Sequence, residues 1–132
     1  MIVLDTHVWL WWVFQSPSLP PHMRRHLEDH EGKPGSFGVS VFSCWEVAKL
    51  VELGRIGLPD PLDVWITRAL AYPGVRLLDL TPRIAIESTQ LPGAFHKDPA
   101  DQIIVATARK FDCRLATVDS RILAYPHVKI LR

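Results

Sequence analysis

The chain has 132 residues, 48% of them apolar and 22% charged, with a net charge of +1. That length holds one domain, read as 1–132, with a real core, and the composition excludes both a disordered chain and a bundle of membrane spans. Near-neutral charge excludes a global pull toward polyanions and leaves room only for a local basic patch.

Met1 to Leu4 reads as a short, buried strand ending at Asp5. Ile2-Val3-Leu4 and Val8 to Phe14 are apolar, but Asp5 and His7 interrupt them and no positive region precedes. This is neither a secretory signal nor a bilayer span. Thr6 is placed as the cap of a helix to about Phe14, which Ser16-Pro17 ends. Pro20 to Glu31 reads as a polar helix closed by Gly32. His22, His26 and His30 recur there at i, i+4, but among Arg24, Arg25, Glu28 and Asp29 they read as a solvated face rather than metal ligands.

Ser36 to Val41 alternates as a second strand. Ser43-Cys44-Trp45-Glu46 has the spacing of a capping box, opening a helix that stops at Gly54. Leu62 to Ala71 is a further helix, with Trp65, Ile66 and Ala69 inward. Val75 to Leu80 is the third strand, and Thr81 caps a helix from Pro82 to about Gln90. Leu91 to Lys97 is a loop.

The next helix runs from Asp98 to about Phe111. Asp98 suits the cap, Pro99 the first helical position, and Asp101 the positive end of the dipole. Ile103, Ile104, Val105, Ala106 and Ala108 leave it almost no polar face, so it is expected to be buried. Arg114 to Thr117 is the fourth strand, Ser120 to Ala124 a short helical turn, and Val128 to Leu131 a last edge strand. Cys44 and Cys113 form no CxxC or zinc spacing and are expected to be reduced, which suits a cytoplasmic protein.

Alternating strands and helices imply an α/β fold: a mainly parallel sheet of four to five strands with helices on both faces. In such sheets the C-terminal strand ends and the helix N-termini share one rim, where sites form. Asp5, Glu46, Asp98, Asp101 and Asp119 are all drawn there. Each alone is explained as a cap or a first-turn acid. Together they would repel, and a hard divalent ion, Mg²⁺ or Mn²⁺, resolves the repulsion.

Four short marks lie in order along the chain: Leu4-Asp5-Thr6-His7; Ser40 to Glu46 with Gly54-Arg55; His96-Lys97-Asp98-Pro99-Ala100-Asp101; and Thr117-Val118-Asp119. In these the chain resembles the PIN domain family, and more narrowly the VapC-type toxins of toxin–antitoxin pairs. The resemblance spans essentially the whole chain. It implies a PIN-like three-layer α/β/α fold and a metal-dependent endoribonuclease that hydrolyses RNA phosphodiester bonds with metal-activated water.

By that likeness Asp5, Glu46, Asp101 and Asp119 are the catalytic, metal-holding acids. Asp98 is helix cap first and ligand second, and Thr6 and Thr117 orient the acids through their hydroxyls. His96, Lys97, Lys49 and Arg55 are candidates for RNA phosphates. Implied partners are RNA, a cognate antitoxin segment and a second copy of the chain, with no membrane. Trp11, Trp12, Phe14 and Trp65 exceed what a small core encloses, which points to an apolar groove for the antitoxin. His7 stands where many relatives carry Asn or Ser, and Gln102 where many carry Arg; both leave the target RNA open.

The alternative is a catalytically silent PIN-like module that binds nucleic acid or regulates. A receiver domain would need an acidic pair after the first strand and an acceptor Asp after a central one. A haloacid-dehalogenase phosphatase would need Asp where His7 stands.

Overall fold

The computed structural model describes residues 1–132. In chain order the elements are β1 (Ile2–Leu4), α1 (Thr6–Val13), α2 (Pro21–His30), β2 (Phe37–Ser40), α3 (Val41–Glu52), α4 (Leu62–Ala71), β3 (Val75–Leu78), α5 (Pro82–Ser88), α6 (Pro99–Lys110), β4 (Arg114–Ala116) and α7 (Ser120–Leu123). The four strands form one parallel sheet in the order β3-β2-β1-β4.

That order determines where a site can form. The chain steps outward from β1 to β2 to β3, then returns past β1 to place β4 on its other side. Right-handed crossovers put helices on one face while the chain moves one way and on the opposite face when it reverses. Accordingly, Ile2 and Leu4 pack with Val8 and Trp9 of α1, Leu27 of α2, Val47 of α3 and Trp65 of α4. Val3, between them, points the other way and packs with Ile104, Val105 and Ala108 of α6 and Ile122 of α7. Period-two alternation in three residues thus feeds both apolar layers. The order reverses at the β1–β4 junction, and the strand ends there are where open parallel sheets place their sites.

Helix α6 is as buried as its composition demands, from Ile104 through Ala108. It also caps as expected: the Asp98 carboxylate accepts the Asp101 N–H at 3.2 Å. Thr81 likewise caps α5, accepting from Ile84 N–H at 3.2 Å. Both cysteines are free. No helix is long and apolar enough to cross a membrane.

Three local expectations are corrected. The capping box at Ser43 does not form. Ser40, in extended backbone, caps α3 by accepting the Phe42 N–H at 3.1 Å, so the helix starts at Val41 and Glu46 lies in its second turn. The alternation through Val41 suggested a longer strand, but pairing with β3 ends at Ser40 opposite Leu78. Second, Asp5 rather than Thr6 caps α1, accepting the Thr6 N–H at 2.8 Å. Third, Val128 to Leu131 makes no strand. A single bridge joins Leu115 to Ile130, and the ladder goes no further back because the Cys113 N–H donates to the Ala108 carbonyl at 3.0 Å instead.

Candidate active site

The rim beyond β1 and β4 collects its acids from the ends of strands and the first two turns of helices. Asp5 follows β1 and caps α1. Its second carboxylate oxygen accepts the Thr117 hydroxyl at 2.7 Å, from the end of β4. Thr117 Oγ1 in turn accepts the Asp119 N–H at 3.1 Å, so one hydroxyl links two acids. Asp119 caps α7, with one oxygen accepting from the N–H groups of Arg121 at 2.8 Å and Ile122 at 3.2 Å.

Glu46 enters from α3, and its carboxylate lies 2.6 Å from the Thr6 hydroxyl. Ser43 Oγ lies 2.8 Å from the same hydroxyl. An ionised carboxylate only accepts, so the single Thr6 proton goes to Glu46 and Ser43 completes the pair as donor. Asp101 enters from the first turn of α6. Its Oδ2 accepts His96 Nε2 at 2.6 Å and the Arg121 guanidinium at 3.2 Å. His96 is itself held. The Gln102 amide donates to its carbonyl at 3.2 Å, and the Phe95 ring lies against its imidazole at 4.2 Å between centroids.

The electrostatics tie the acids together. Burial is the largest cause pushing the Asp5 carboxyl above its ordinary range; the Thr117 and Thr6 hydrogen bonds oppose it, and the Asp119 charge adds to it. Burial also raises Glu46, against the Thr6 hydrogen bond, with Asp5 and Asp101 adding repulsion. Asp101 is raised by burial first, and then by the charges of Asp119, Asp98 and Asp5, against the His96 hydrogen bond. The His7 charge favours the ionised forms of Asp5 and Glu46, which places this exposed histidine at the same rim. Four carboxylates from four chain segments therefore feel one another.

As they stand, no three His, Cys, Asp or Glu groups converge closely enough to hold one ion. The donor set nevertheless fits a hard cation. It is rich in carboxylate oxygens, half-buried, under mutual repulsion, and oriented by hydroxyls.

Of the basic candidates, His96 bonds Asp101. Lys49 pairs with Glu52 at 2.6 Å and lies 5.9 Å over the Trp45 ring. Lys97 and Arg55 are exposed. Two side chains at the rim were not anticipated as parts of it. In sequence Ser43 has the look of a cap, and the signal for Arg121 is only its place two residues beyond Asp119, in the turn that Asp119 caps.

A second feature lies at the far end of α1. Trp9, Trp12 and Phe14 of α1 and its cap, with Trp65, Arg68 and Tyr72, line a pocket of about 320 Å³. Trp12 and Trp65 are buried, whereas Phe14, stacked on Trp65 with centroids 5.6 Å apart, is 42% exposed. The Trp9 indole N–H is buried without a hydrogen-bond partner. Trp11 is half-buried, 6.1 Å from the His7 ring and apart from the pocket's lining.

A parallel sheet with two helical layers and acids gathered at its switch point defines the class, and the sequence agrees: the chain belongs to the PIN domain family, whose profile matches residues 2–128. Within that family it is VapC-like. It is 32% identical over 126 residues to Ribonuclease VapC22 of Mycobacterium tuberculosis, across 96% of this chain and 92% of that protein. Among solved structures it is similar to FitAcB of Neisseria gonorrhoeae, with a TM-score of 0.71 at 19% identity over 100% of this chain and 97% of that one. It is also similar to VapC20 of Mycobacterium tuberculosis, a toxin described as cleaving the sarcin-ricin loop, with a TM-score of 0.66 at 17% identity over 100% of both chains. At such identities these structures speak to the fold.

Proposed function

We propose that this chain is a metal-dependent endoribonuclease, the toxin of a toxin–antitoxin pair. The observation that carries this reading is the gathering of four acids at one rim: the Thr117 hydroxyl joins Asp5 to Asp119, Arg121 joins Asp119 to Asp101, and Thr6 of the helix that Asp5 caps holds Glu46. The VapC22 relative, a ribonuclease by name, supports it. These four acids are the residues that would hold Mg²⁺ or Mn²⁺; Asp98, spent on its cap, stands outside the set. When bound, such an ion supplies an activated water and neutralises charge on the phosphodiester.

The chain's own residues do the rest. Thr117 holds Asp5 in register with Asp119, and Thr6 holds Glu46. His96 fixes the Asp101 carboxylate. Lys97 and Arg55, both exposed, are available to RNA phosphates.

We place the antitoxin segment in the Trp9–Trp65 pocket, whose walls are largely aromatic and whose rim carries the exposed Phe14 ring. The exposed apolar side chains Val41 and Trp45, one turn apart on α3, suit a second copy of the chain.

Cleavage of structured RNA in Mn²⁺ by the wild type, Asp5→Asn and Asp101→Asn tests the site. Both variants are expected to lose at least about 100-fold in rate. Equal activity in all three proteins would reject it. RNA binding without any Mn²⁺-dependent cleavage by the wild type would favour the silent module.

A further inference from the structure

The acids of the rim are not left bare. Arg121 Nη2 lies 3.2 Å from Asp101 Oδ2 and 3.7 Å from Asp119 Oδ2. No other lysine or arginine pairs with any of the four acids; the remaining such ion pairs join Lys49 to Glu52, Arg68 to Asp60, Arg83 to Glu87 and Lys129 to Asp112. The pair is lopsided. The Asp101 side chain is 15% exposed, whereas that of Arg121 is 55% exposed. The carboxylate is fixed by His96 and by its place at the start of α6. The guanidinium sits on a long side chain that can leave into solvent.

We infer that Arg121 is a built-in competitor of the divalent cation: it bridges Asp101 and Asp119 while the ion is absent, and must swing out for the ion to enter. The inference rests on the metal reading given above.

The argument is electrostatic. Two half-buried carboxylates brought together repel, and a positive group between them relieves that repulsion. Either a guanidinium or a divalent ion can serve, but Asp101 Oδ2 cannot donate the same lone pairs to both while His96 holds it as well. Occupancy by Arg121 therefore lowers the fraction of protein ready for the ion, and apparent affinity falls by that fraction. For one partly solvated ion pair the penalty is roughly fivefold. The same swap serves the substrate. Once displaced, the planar guanidinium is released at the rim with its fork of donors free for a phosphate, which it can bind in bidentate fashion. Cation entry and exposure of an RNA-binding arginine then become one event.

The experiment is a Mn²⁺ titration of RNA-free protein, read by calorimetry or by the electron paramagnetic resonance of free Mn²⁺. Wild type, Arg121→Gln and Arg121→Lys are compared, each checked for an unchanged fold by circular dichroism. Arg121→Gln is expected to bind Mn²⁺ roughly fivefold more tightly than wild type. Arg121→Lys, which keeps the charge, is expected to stay within about twofold of wild type. Binding by Arg121→Gln where the wild type shows none also supports the competitor role. Equal or weaker binding by Arg121→Gln, with the wild type binding, overturns it and leaves the metal site standing. Arg121→Lys binding as tightly as Arg121→Gln overturns it too, because charge would not be the cause. No binding by any of the three at millimolar Mn²⁺ sinks the metal reading and this inference with it.

Discussion

The acid rim and the aromatic pocket lie at opposite ends of α1, about 12 Å apart along an eight-residue helix. Asp5 caps its start and Phe14 closes its end. At the rim, carboxylates are drawn out of water and pressed together, so the folded state carries a cost that a cation would relieve. At the pocket, aromatic surface is left partly wet, so the cost is exposed apolar area that a peptide would cover. One short helix thus carries a polar deficit at its start and an apolar one at its end. The deficits are chemically unrelated, so each is expected to be removable without touching the other.

The largest effect tests that separation directly. Asp101→Asn, expected to cost at least about 100-fold in cleavage, is expected to leave capture of an antitoxin peptide within about twofold of wild type. Loss of both together would mean the peptide reaches the rim. The converse variant is Phe14→Ala. It removes an exposed ring that seals the pocket against Trp65, and peptide affinity measured by tryptophan fluorescence is expected to drop about tenfold with cleavage unchanged.

Thr117→Val sharpens the rim alone. It keeps the shape of the side chain but deletes the hydroxyl between Asp5 and Asp119. Cleavage is expected to fall about tenfold, with a stability loss of about 1 kcal/mol in urea unfolding.

The smallest effect concerns pH. Asp5, Glu46 and Asp101 are raised in the folded protein, so just above the ordinary carboxylate range the folded state binds more protons than the unfolded state. Stability without metal therefore falls as pH rises through that window and recovers on acidification. Asp5→Asn deletes one of the repelling charges while an amide can still cap α1. Its melting temperature in chelator is expected to exceed that of the wild type by a few degrees near neutral pH, with the gap closing at acidic pH. A gap that widens on acidification would contradict the repulsion.

The sequence by itself determined the elements whose signals are local. Asp98, Pro99 and Asp101 announced the start of α6, and the unbroken apolar run from Ile103 declared its burial. Alternating elements implied a parallel sheet, and that sheet implied which rim would receive Asp5, Glu46, Asp101 and Asp119. Caps and apolar periodicity act over a few residues, so they survive in one dimension. Only the tertiary structure decided contacts between distant segments. Pairing with β3 decided that α3 starts at Val41, which turned Ser43 from a cap into the partner of Thr6. Long-range packing also decided that Arg121 reaches back to Asp101 and that the last segment stops at a single bridge. Such contacts depend on where the chain returns in space, and no local preference encodes that.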